Sequence, residues 1–145
     1  MRTFLIFFFL TLALPVLACG EDEKGQKEPF AKIEEELNFE NFTYYELFLP
    51  EKYKGFYLSS VRLMVPNSVN VSLDFSEAFG YKGYYSAGFQ INSELLDVLE
   101  LYSSYSTTED RKGIVLCGET LQLELKKLLV AKHPEMVIPQ PPPVP

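Results

Sequence analysis

The chain has no tryptophan, one histidine and two cysteines among its 145 residues. Each scarcity closes off a class of chemistry. The lone histidine, His133, stands in a proline-rich stretch and cannot supply an acid–base pair. Two widely separated cysteines and one histidine do not make the spacing of a structural metal site. Cys117 has no His, Lys or Arg beside it in sequence to activate a thiolate. No serine sits in a Gly-x-Ser-x-Gly elbow. Gly80-Tyr81-Lys82-Gly83 is too short for a phosphate-cradling loop and lacks the following Lys-Ser/Thr. The carboxylates Asp74 and Glu77 are close in sequence, but acids beside a turn are ordinarily solvated. No catalytic residue, metal ligand or cofactor is therefore assigned, and the chain reads as a non-enzyme. Positive charge is also short. Thirteen Lys and Arg against twenty Asp and Glu give a net charge of −7, whereas a nucleic-acid binder needs a basic face.

What is abundant is apolar and aromatic. Hydrophobic residues make up 47% and aromatic residues 14% of the chain. That suffices for the core of one domain and tilts the expectation toward half-buried pleated strands. The first eighteen residues follow the order of an export signal. Met1-Arg2-Thr3 is short and positively charged, Phe4–Leu14 is apolar except for Thr11, and Pro15-Val16-Leu17-Ala18 leads to a small-residue exit. The apolar run is too short to span a bilayer as a helix.

Val16, Leu17, Ala18 and Cys19 stand in the order of a lipobox, and in residues 1–20 the chain resembles the bacterial lipoproteins. That resemblance implies cleavage between Ala18 and Cys19, a diacylglyceryl group on the Cys19 sulfur and acylation, palmitate included, of its new amine. It implies attachment to a membrane of the cell envelope through the lipid. Residue 20 is Gly rather than Asp, which in that family points to the outer membrane. Leu17 is bulkier than the usual occupant and Pro15 is uncommon there. An ordinary signal peptidase, reading Val16 and Ala18, is the alternative. It would leave a secreted or periplasmic soluble protein free to form a Cys19–Cys117 disulfide, worth up to about 4 kcal/mol in the chain-entropy model.

After the signal, residues 19–36 are strongly acidic and read as a flexible tether. Phe30, Ile33 and Leu37 are spaced as one helical face that could dock a short helix after Pro29. Residues 37–132 alternate short apolar runs with turns. Strands are expected over Thr43–Leu49, Phe56–Val65, Val69–Phe75 and Tyr84–Ile91. A helical turn and then a strand are expected within Ser93–Tyr105, a buried strand over Ile114–Cys117 and a last strand from about Thr120. A terminal helix through Leu121, Leu125, Leu128 and Leu129 is the alternative there. About seven antiparallel strands without intervening helices imply two packed sheets. The expected fold is mainly β, an antiparallel two-sheet sandwich of immunoglobulin-like type. The alternatives are a small barrel or an α+β sheet with one covering helix. Residues 133–145 are dominated by proline and read as a disordered, extended tail.

The most unusual local feature is the aromatic segment Phe75–Phe89. Within it Phe79, Tyr81, Tyr84 and Tyr85 form a candidate surface for a protein or glycan partner, since tyrosine offers a flat apolar ring with a polar tip. The functional expectation is a membrane-anchored envelope lipoprotein with a small β-domain in a binding or structural role. A secreted, disulfide-linked inhibitor or recognition module is the first alternative. An envelope enzyme or accessory subunit is the second.

Overall fold

The computed structural model describes residues 25–107 and 117–137. Nine strands are found there: β1 (Phe30–Ile33), β2 (Phe42–Pro50), β3 (Lys52–Tyr53), β4 (Phe56–Val65), β5 (Val69–Leu73), β6 (Ser76–Glu77), β7 (Tyr84–Asn92), β8 (Glu100–Ser106) and β9 (Gly118–Leu123). One short helix, α1 (Leu125–Leu129), follows. All pairings are antiparallel. One sheet runs β1-β2-β7-β6. The other runs β3-β4-β8-β9, with β5 beside β4 on the same edge as β3. This is the expected antiparallel sandwich, mainly β. Taking β3 as the end of β2 bent across to the second sheet, the order of strands in the two sheets is that of the immunoglobulin-like arrangement.

Alternation places the core. Tyr45, Leu47 and Leu49 of β2 and Ala87, Phe89 and Ile91 of β7 point inward from the first sheet. Phe56, Leu58, Val61 and Leu63 of β4, with Leu101 and Tyr105 of β8, meet them from the second. The strict alternation expected for residues 69–75 forms β5 only as far as Leu73. Beyond it the chain crosses to the first sheet, and Phe75 packs its ring edge-on against Tyr85 at 5.4 Å. Asn92 caps a 3-10 turn at Ser93–Leu95 by accepting from Glu94 N–H, and β8 follows. Both readings of the C-terminal region occur in succession: β9 ends at Leu123, and α1 then buries Leu125 and Leu128. The expected strand at Ile114–Cys117 lies outside the described residues except for Cys117, which sits in a bend.

The segment read as tether and docking helix differs. Phe30–Ile33 is an edge strand paired with Tyr45–Phe48, and Phe30 and Ala31 are fully buried. Ile33 and Leu37 remain 44% and 56% exposed. Pairing with the open edge of β2 satisfies a row of backbone groups, which a single helical turn would not. The chain therefore enters the fold by residue 30, and residues 19–24 lie outside the described part.

Candidate functional site

The aromatic segment divides between two faces of the first sheet. Tyr81 and Tyr84 are buried in a second, smaller cluster on its outer face, with Phe30, Phe48 and Ala78. Phe30 and Phe48 stack at 4.5 Å, and Tyr81 and Tyr84 meet Phe30 edge-on at 5.2 and 5.4 Å. Lys32 bonds the Tyr81 hydroxyl and lies 4.5 Å over that ring. The Tyr84 hydroxyl donates to the Glu28 carbonyl at 3.2 Å. Burial, with the nearby Glu28 carboxylate second, holds its pKa above the ordinary value. Tyr85 faces the main core against Phe75. Phe79 alone stands out, 77% exposed. The four residues of the candidate surface thus do not form one exposed face. The sequence could not show that a second cluster would cover the outer face.

The C-terminal segment helps to close that cluster. The His133 ring lies 5.0 Å from Phe30. Val137 N–H donates to the Gly80 carbonyl at 2.8 Å, and Met136 fills the space where a Gly80 side chain would be. A wide groove of about 520 Å³ remains between Glu28, Tyr84, Lys127, Lys132 and His133. Lys127 is already paired with Glu124 at 2.7 Å. Asp74 and Glu77 are both exposed. Among the described residues no three His, Cys, Asp or Glu side chains gather to hold a metal ion, and no helix is long and apolar enough to cross a membrane.

The distinctive geometry lies on the flanks of the sandwich. One flank, beside β1, is covered by α1, whose Leu125 and Leu128 are 5% and 7% exposed. The other lies between β5 and β7. There β6 is only two residues long and pairs with β7 only at Ser86 and Tyr85. From Ala87 to Asn92, β7 has β2 on one side and no described strand on the other. β5 pairs only with β4. Between these two open edges lies a cleft of about 380 Å³. Buried Leu63, Phe89 and Ile91 lie at its base, while Val69 and Val71 along one lip are 43% and 41% exposed. Phe42 and Leu95, 45% and 37% exposed, stand at its end. None of the lining residues is charged.

Cys19, Ala18 and the signal lie outside the described residues. Cys117 packs against the edge of the main core and is disulfide-bonded. The chain holds one other cysteine, Cys19. Comparison with protein families, curated proteins and solved structures finds no match to any of them, so the fold and the cleft stand on this chain alone.

Proposed function

We propose that this chain is an exported envelope lipoprotein, anchored through Cys19, whose immunoglobulin-like domain is a recognition module for another protein. The observation that carries the binding role is the uneven treatment of the two flanks. A sandwich that caps one apolar flank with Leu125 and Leu128 leaves the other open at Val69, Val71, Phe42 and Leu95. Contiguous exposed apolar surface next to open strand edges is a liability unless a partner uses it. The anchoring rests on Val16-Leu17-Ala18-Cys19 after a charged start and an apolar run. Two or more acyl chains hold a protein firmly to a bilayer, at about 0.8 kcal/mol per buried methylene. Gly20 favours the outer membrane.

Fractionation tests the anchor. The wild-type chain partitions with membranes and a Cys19→Ala variant becomes soluble. Recovery of both in the soluble fraction refutes lipidation.

One observation favours a second reading. Cys117 is disulfide-bonded and Cys19 is the one other cysteine of the chain. A sulfur in that disulfide has no valence left for a thioether, so the two readings exclude each other for any one molecule. The second reading is a soluble, secreted or periplasmic recognition module closed by a Cys19–Cys117 bond. Intact mass separates them: acylation adds at least several hundred daltons, whereas a disulfide removes roughly 2.

A further inference from the structure

We infer that the cleft between β5 and β7 accepts an extended peptide strand of a partner protein, apolar at alternate residues and carrying lysine or arginine at one end. The inference rests on the recognition reading and specifies its mode. Three features point to a strand. The free edge of β7 from Ala87 to Asn92 presents backbone donors and acceptors that a peptide can complete, as β6 does only at Ser86 and Tyr85. The β5 edge opposite is equally open over Val69–Leu73. The cleft between them is apolar, with Val69, Val71 and Leu73 on the β5 lip and Phe89 and Ile91 on the β7 side. A strand has a side-chain period of two, so one that pairs with either edge directs alternate side chains into the cleft.

Charge selects among occupants. The lining holds no charged residue, which leaves the core of the ligand uncharged. At the end marked by Phe42 and Leu95, the neighbouring Glu40 and Glu94 are exposed. Ser93 N–H donates to the Asn41 carbonyl at 2.8 Å and ties the segments bearing these two acids together. Beside them, Asp97 is already matched by Lys126. Glu40 and Glu94, which carry no ion pair among the described residues, favour a basic flank on the ligand and disfavour an anionic lipid surface. The chain's own stretch 138–145 is a poor occupant, because most of its residues are proline and lack the N–H that strand pairing needs.

The test uses the full mature chain and a random linear peptide library displayed on phage. Enriched peptides should alternate apolar and polar residues and end in Lys or Arg. Their binding should slow amide exchange over residues 87–92. Val71→Lys should weaken it by about tenfold or more, while Phe39→Ser, outside the cleft, leaves it intact. Leu95→Lys at the end of the cleft is the second variant, should Val71→Lys fail to fold. Enriched peptides without the alternating pattern, or binding that both cleft variants leave unchanged, overturn the strand mode alone. Binding of anionic vesicles through Val71 and Leu95 overturns it in favour of a lipid surface. Failure to enrich any peptide overturns it together with the recognition reading. Anchoring is read separately from the intact mass.

Discussion

Ser103 and Tyr105 lie two residues apart on β8 and point into the apolar interior, 0% and 2% exposed. Among the described residues neither hydroxyl has a hydrogen-bond partner. Burial drives the Tyr105 phenol far above its ordinary pKa. An unmatched buried hydroxyl costs about 1–3 kcal/mol in desolvation. Tyr105→Phe keeps the ring that packs 5.4 Å from Tyr53 and removes that cost. It should leave stability unchanged or raise it by about 1 kcal/mol in denaturant unfolding. Gly118 shows the opposite constraint. A Cβ there would lie 2.5 Å from the backbone oxygen of Tyr105, on the strand to which β9 is paired. Backbone cannot swing aside as a side chain can, so Gly118→Ala should destabilise by about 1–3 kcal/mol, seen as a lower unfolding midpoint.

At the scale of elements, the C-terminal segment acts as part of the fold. Met136 and Val137 cross Gly80, which adopts a φ of +76°, a conformation that favours glycine. Gly80→Ala would both strain the turn and displace Met136, lowering stability by about 1–2 kcal/mol in the same assay. Stopping the chain at Lys132 would remove the His133 ring from Phe30 and the Val137 bond to Gly80. The expected result is increased binding of an apolar dye to the exposed Phe30–Tyr84 cluster. The brevity of β6 has its cause upstream. Ser76 lies opposite Ser86 in an antiparallel register, so a strand beside Ala87–Asn92 would have to come from residues before Ser76. Val69–Leu73 are already paired with β4 as β5, so β6 cannot extend along β7 in that direction and the flank stays open.

At the scale of the whole molecule, the buried phenols set its response to alkali. Tyr84 and Tyr105 both hold their protons above the ordinary value of 10.0. Above about pH 10 the unfolded chain has released protons that the fold retains. The contribution of these groups is therefore full below about pH 10 and is lost as the pH rises toward their folded values. Melting temperature should fall as the pH rises above about 10, and Tyr105→Phe should flatten that fall.

Much of the architecture was legible before the fold was known. The alternation of Val69, Val71 and Leu73, and of Val61, Leu63 and Val65, follows from the strand period and fixes which side chains share a face, whereas Leu58 joins that face only through the register shift between Leu58 and Ser60. Turn residues such as Pro66-Asn67-Ser68 fix where strands stop. Which face a second layer would cover was not legible. Phe30 reads as part of a helix face, because the open edge of β2 that captures it as a strand belongs to another part of the chain. Tyr81 and Tyr84 read as a surface until Phe30, Phe48 and the C-terminal segment close over them. The cleft likewise exists only because β5 and β7, distant in sequence, are brought opposite each other with too little of β6 between them. Local sequence determines period and turns, since these depend on neighbours along the chain. Burial and open edges depend on neighbours in space, and only the tertiary structure decides those.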